Sequence, residues 1–175
     1  LPPVAKVNEG QGMYHFLSGY TSKVAGTERG VTDPEATFSA CFGAAFLTLH
    51  PTFYADLLQK KIKEHDCNVY LVNTGWVGGG HGVGERISIK NTRSCIDAIL
   101  NESILESNFN EDPIFGFQVP EQLESVSKEI CNPRIAWENE NEYLEKAEIL
   151  RKMFIENYEK YKDPNFTDYS IYGPK

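Results

Sequence analysis

Pro51-Thr52-Phe53-Tyr54-Ala55-Asp56-Leu57-Leu58-Gln59-Lys60-Lys61-Ile62-Lys63 leads into Val69-Tyr70-Leu71-Val72, and then into Gly75-Trp76-Val77-Gly78-Gly79-Gly80-His81-Gly82-Val83-Gly84-Glu85-Arg86. This succession sets the fold class. Pro51 suits a first helical turn, and Phe53, Tyr54, Leu57, Leu58 and Ile62 recur at helical spacing. Lys60, Lys61 and Lys63 sit toward the end, where the helix dipole favours cations. The pattern predicts an amphipathic helix of about four turns. Val69–Val72 reads as a short buried strand, followed by a glycine-dense loop. Beyond it Ile87-Ser88-Ile89 alternates like a strand, and Asn91 is placed to cap a helix carrying Ile96, Ile99, Leu100 and Ile104. Helix, strand, strand, helix is a mixed α/β pattern.

Working outward, residues 10–22 mix Tyr14, Phe16, Leu17 and Tyr20 with small residues and read as a short helix or turn. Gly26, Gly30 and Pro34 punctuate 24–37, which is expected to be mostly loop. Phe38 to Leu49 is almost continuously apolar and small, and is expected to be buried whatever its secondary structure. Phe115 to Val119 reads as a strand that Pro120 stops, and Asn132-Pro133 marks a loop before the longest helix. There Tyr143, Ala147, Leu150, Phe154, Tyr158 and Tyr161 form a helical stripe. Three short strands do not make a self-sufficient sheet, so the chain is expected to complete a sheet begun upstream.

The 175 residues fit one domain, and 41% hydrophobic with 12% aromatic residues is ample for a packed core. A net charge of −8 argues against a nucleic-acid partner, which needs a basic face. No apolar run approaches the roughly 20 residues of a membrane span. Leu1-Pro2-Pro3 has neither an initiator Met nor signal-peptide architecture and reads as a cut inside a longer chain. Cys41, Cys67, Cys95 and Cys131 are widely spaced, the usage of thiols in a reducing compartment, from which a cytoplasmic location is expected. In that compartment Asn101-Glu102-Ser103 and Asn165-Phe166-Thr167 are chance matches to the glycosylation pattern.

The glycine loop invites a phosphate-binding reading, which its spacing does not support. Gly79 and Gly84 stand as in a Walker loop, but Glu85-Arg86 follow where Lys and Ser or Thr are required. What comes next is more pointed: Arg86, the strand after it, and Thr92 at a helix start offer a guanidinium, backbone edge groups and a hydroxyl near helix-end amides. Together these can hold a base or a ribose. On the residues alone, a surface ion pair for Arg86 and a capping role for Thr92 explain them as well. His15, His50, His65 and His81 are too dispersed for a metal site, and His50 before Pro51 suits a structural role. No Cys-x-x-Cys motif supports thiol catalysis. Asp33 with Glu35, and Glu28 beside Arg29, show no sign of an acid–base pair.

A resemblance sharpens this. Tyr14-His15-Phe16-Leu17-Ser18-Gly19-Tyr20-Thr21, Ala25-Gly26-Thr27-Glu28-Arg29-Gly30 and Phe38-Ser39-Ala40-Cys41-Phe42-Gly43-Ala44-Ala45-Phe46-Leu47 with Leu49-His50-Pro51 are similar, in order, to a long signature of ATP-dependent phosphoenolpyruvate carboxykinases. Tyr70-Leu71-Val72-Asn73-Thr74-Gly75-Trp76, Arg86-Ile87-Ser88-Ile89-Lys90, Thr92-Arg93 and Ile96-Asp97-Ala98-Ile99 continue it. The resemblance is dense from about residue 11 to 101 and looser beyond.

It implies a lyase of gluconeogenesis that converts oxaloacetate and ATP to phosphoenolpyruvate, carbon dioxide and ADP, using Mg2+ and Mn2+. It implies further that this chain is the C-terminal portion of a single mononucleotide-binding catalytic domain, with the phosphate loop, the metal ligands and the oxaloacetate site upstream. Arg86, Ile87 and Thr92 match the family's contacts to the adenosine side of ATP. No catalytic or metal residue is assigned, no function is carried onto His81 or Glu85, and no oligomeric state follows. The chain alone is expected to be inactive. The alternative is a stand-alone adenine-nucleotide-binding module without catalysis, which calorimetry with ATP distinguishes. A third possibility is self-association through an orphan sheet edge.

Overall fold

The computed structural model describes residues 1–23 and 33–175. The block Ala25 to Gly30, with Glu28 and Arg29, and most of the loop expected at 24–37 lie outside the described residues. In chain order the strands are β1 (Val4–Val7), β2 (Tyr20–Lys23), β3 (Glu35–Phe38), β4 (Val69–Val72), β5 (Trp76–Val77), β6 (Glu85–Arg86), β7 (Phe109–Glu111) and β8 (Gln118–Pro120). The α-helices are α1 (Glu9–Ser18), α2 (Pro51–His65), α3 (Ile89–Leu100), α4 (Lys128–Cys131), α5 (Pro133–Ala136) and α6 (Glu140–Tyr158), so the fold is mixed α/β. The chain divides into two compact units, one of residues 1–7, 70–149 and 175, the other of residues 8–69 and 150–174.

The first unit holds a four-stranded sheet of order β4-β1-β8-β7. β8 runs antiparallel to β1, with Lys6 opposite Gln118, and antiparallel to β7, with Asn110 opposite Val119. β1, absent from the sequence reading, lies between two neighbours, and Val4, Ala5 and Val7 are all buried. A central strand covered on both faces shows no alternation to detect. In the same unit Val4, Cys95, Ala98, Ile104, Leu123, Val126 and Cys131 form one core cluster.

β8 begins later than expected. Asp112 Oδ1 accepts the N–H groups of Ile114 (3.0 Å) and Phe115 (2.6 Å), and its carbonyl accepts that of Gly116 (2.8 Å). That turn takes Phe115 out of the strand. Phe115 and Phe117 are nevertheless buried, their rings stacked 5.6 Å apart.

The second unit is organised by aromatic rings. α1 starts at a capping box, in which Asn8 Oδ1 accepts the Gln11 N–H (2.8 Å) and Gln11 Oε1 accepts the Asn8 N–H (3.0 Å). Tyr14 of α1 stacks on Tyr158 at 4.7 Å. Phe154 meets Tyr20 and Phe38 at 5.3 Å each, and Tyr158 meets Tyr161 at 5.9 Å. Each such pair adds about 0.5–1.5 kcal/mol to the apolar burial. Of the helical stripe read from the sequence, Tyr143 and Ala147 are buried in the first unit and Phe154, Tyr158 and Tyr161 in the second, while Leu150 is half-buried. The expected helix at 51–63 is α2, with Pro51 in its first turn and His50 Nδ1 accepting the Thr52 N–H at 3.4 Å.

Two expectations for this unit are corrected. Glu35–Phe38 is a strand, paired with β2 so that Tyr20 faces Phe38, and that long-range pairing has no local sequence signal. The apolar run from Phe38 to Leu49 is largely not buried: Ala40 is covered, but Phe42, Phe46 and Leu49 are 58%, 88% and 53% exposed. The run folds as two single-turn 3-10 helices, Ala40–Phe42 and Ala44–Phe46. A segment apolar on every side places some of its side chains outward unless other polypeptide covers them.

His15 is buried in α1, edge-on to Tyr14 (5.3 Å) and Phe154 (4.9 Å), and burial lowers its pKa to about 3. The unfolded chain then takes up a proton near pH 6.5 that the folded chain refuses, so stability falls as pH drops through that value. Between pH 7.5 and 5 the loss is about 2 kcal/mol for this group, measurable as a lower urea midpoint at constant slope. His15→Gln should flatten that dependence.

Candidate functional site

β5 and β6 form an antiparallel hairpin, with Trp76 opposite Arg86 and Val77 opposite Glu85. The glycine-dense loop is the connection of this hairpin. The Val83 and Gly84 N–H groups donate to the Gly80 carbonyl at 3.1 and 2.8 Å, so both amides are engaged within the loop. A Cβ on Gly84 would lie 2.5 Å from the carbonyl oxygens of Gly79 and Val77. Glycine is therefore required there by the close approach of two backbone segments. That need accounts for glycine at this position without invoking a phosphate.

The hairpin fixes Arg86. Its Nε donates to the Thr74 carbonyl at 3.5 Å, and the guanidinium carbon lies 5.6 Å from the centre of the Trp76 ring. That distance is within cation–π range. His81 packs edge-on to the same ring at 5.4 Å. Among the described residues Arg86 is held by a carbonyl and an aromatic face rather than by the surface carboxylate that the residues alone allow for, and its side chain is exposed.

Ile87 is 6% exposed, and its N–H donates to the Gly75 carbonyl at 2.8 Å. That bond prolongs the hairpin by one step and takes the place of the strand expected over 87–89, since β6 ends at Arg86 and Ile89 already belongs to α3. Ser88, not Asn91, is the cap: its Oγ accepts the Asn91 N–H at 3.1 Å. Thr92 therefore stands inside α3, its N–H donating to the Ser88 carbonyl at 2.9 Å, and its side chain is half-buried. A capping role for Thr92 is excluded by this register. Ile104 falls beyond α3, in the 3-10 turn Ser103–Glu106.

All three expected site residues lie in the first unit. Arg86 and Thr92 are separated by two residues of chain and one helical turn, so their Cα atoms are within about 13 Å. Lys90 and Arg93, both exposed, add two cations in the first turns of α3 in a chain of net charge −8. The sequence reading missed Trp76, whose ring positions the guanidinium. Its signal is a cross-strand register that emerges only when the glycine loop closes as a hairpin.

Among the described residues no three His, Cys, Asp or Glu side chains converge as a metal requires, so no metal-dependent step is derived for them. Among the same residues no helix is long and apolar enough to cross a membrane. The four cysteines are free thiols.

The family model for phosphoenolpyruvate carboxykinase matches residues 1–129. A phosphoenolpyruvate carboxykinase (ATP) of Sulfurimonas denitrificans is 57% identical over 100% of this chain, and one of Leptospira biflexa is 55% identical over 99%. A third, from Campylobacter jejuni, is 53% identical over the whole chain. The chain spans about a third of the length of these curated relatives.

The hairpin makes its own prediction. Gly84→Ala should lower stability by about 1–3 kcal/mol in urea unfolding, because the new methyl group meets two carbonyl oxygens. Gly80→Ala, where a Cβ meets nothing within 4 Å, should cost far less.

Proposed function

This chain belongs to the ATP-dependent phosphoenolpyruvate carboxykinase family, and from that premise we propose that Arg86, Ile87 and Thr92 hold the adenosine portion of ATP. The proposed parent reaction is the conversion of oxaloacetate and ATP to phosphoenolpyruvate, carbon dioxide and ADP, in the cytoplasm. The observation that carries the reading is the pinned guanidinium. Arg86 is fixed by Thr74 and Trp76 yet exposed, directly before a buried residue and six residues ahead of the Thr92 hydroxyl in α3. A planar cation held in place loses little freedom when a base or ribose arrives.

Each residue has a defined part. The guanidinium of Arg86 stacks on the base or donates to the sugar. The Ile87 N–H is engaged with Gly75, so its contact is made by the carbonyl oxygen, an acceptor suited to an exocyclic amine. Thr92 supplies a hydroxyl that both donates and accepts. Lys90 and Arg93 raise the local potential for an anionic ligand.

Phosphate handling and divalent metal, Mg2+ or Mn2+, are assigned to parts of the relatives that this chain does not match. Bound metal supplies charge neutralisation at the transferring phosphoryl group and the enolate. On this reading the chain alone forms no phosphoenolpyruvate.

The test is kinetic. In a chimera where this chain replaces the matching third of the Sulfurimonas denitrificans relative, Arg86→Ala should raise KM for ATP at least about tenfold, the loss of one charge-assisted contact. KM for oxaloacetate should stay within about twofold. Equal loss for both substrates, or for neither, contradicts the assignment.

A further inference from the structure

The second unit carries several large apolar side chains that stand exposed among the described residues. Phe42, Phe46 and Leu49 are exposed, as are Phe53 and Leu57, which lie four residues apart on one face of α2. All five fall within residues 42–57. The stretch is not loose. Cys41 Sγ donates to the Pro51 carbonyl at 3.7 Å, and the Tyr54 hydroxyl accepts the N–H groups of Thr48 and Leu49 at 3.3 Å each. The loop is thereby tied back onto the first turn of α2.

The backbone adds an independent observation. Cys41 and Phe42 both have left-handed conformations, with φ of +53° and +57°. Bulky side chains rarely adopt this region, and it persists where surrounding structure holds it. Here it holds an aromatic ring out in solvent. Singly scattered apolar residues need no explanation, but five exposed between residues 42 and 57, on a loop tied to the helix that carries two of them, are more than scatter.

The occupant follows from the length comparison. Relatives 53–57% identical to this chain carry its counterpart within polypeptides about three times as long. We propose that Phe42, Phe46, Leu49, Phe53 and Leu57 are the docking surface for the polypeptide corresponding to the remaining two thirds of those relatives. This inference rests on family membership and not on the nucleotide contacts. Its readouts involve no nucleotide, so its failure is separable from theirs.

The experiment compares Phe46→Asp in two settings, the 175-residue chain and the Sulfurimonas chimera. In the chain by itself the substituted side chain remains in water, and Tm should move by no more than about 1 °C. In the chimera it enters a covered apolar interface, and Tm should fall by at least about 3 °C. As a second measurement, the complementary two thirds of the Sulfurimonas protein, added as a separate polypeptide, should quench the fluorescence of an apolar dye bound to the unaltered chain. Phe46→Asp should abolish that quenching. Equal Tm losses in both settings, no loss in either, or no quenching overturns the proposal. So does a concentration-dependent dimer of the chain that Phe46→Asp dissolves while the chimera is unaffected, since the occupant is then a second copy.

Discussion

The pairing of Trp76 with Arg86 across a two-stranded hairpin is the constraint on which the proposed site depends. Once Gly79 and Gly84 close the hairpin, three consequences follow without further choice. Arg86 is laid over an aromatic face, the Ile87 N–H is committed to Gly75, and Ser88 becomes the first residue free to cap a helix. Thr92 then arrives one turn later. A glycine loop that looks like a phosphate cradle thus acts as a spacer that fixes the register of the residues after it.

That division of labour accounts for the chemistry assigned to the chain. The loop amides of Val83 and Gly84 serve the Gly80 carbonyl, so they are poor candidates for binding phosphate oxygens. The cations come later, at Arg86, Lys90 and Arg93, around the first turns of α3. A chain of net charge −8 can still offer an anionic ligand a favourable local field there. The second unit owes its cohesion to stacked and edge-on aromatic rings around Phe154, and its neutral buried His15 ties that cohesion to pH.

Much of this was legible in the sequence where the signal is local. Pro51 with its periodic apolar residues gave α2 to within two residues, and the Tyr143–Tyr161 stripe gave the buried face of α6 and the turn after it. What escaped was non-local. β1 is a covered central strand with no alternation, β3 is defined by its pairing with β2, and the start of β8 was hidden by the Asp112 turn. The run from Phe38 to Leu49 misled for a different reason. Hydrophobicity measures what a segment gains by being covered, and says nothing about whether covering polypeptide is at hand. At the proposed site, Arg86, Ile87 and Thr92 are assigned by resemblance to family blocks, whereas the Trp76 contact with Arg86 emerges only from the hairpin register.

The central claim is a shared ligand for two side chains six positions apart. A crystal structure of the Sulfurimonas chimera with bound ADP tests it directly. The account predicts the Arg86 guanidinium and the Thr92 hydroxyl both within hydrogen-bonding or stacking distance of one adenosine, with the Ile87 carbonyl at its edge. An adenosine seated elsewhere, leaving Arg86 on Trp76 and Thr92 in contact with solvent, would contradict it.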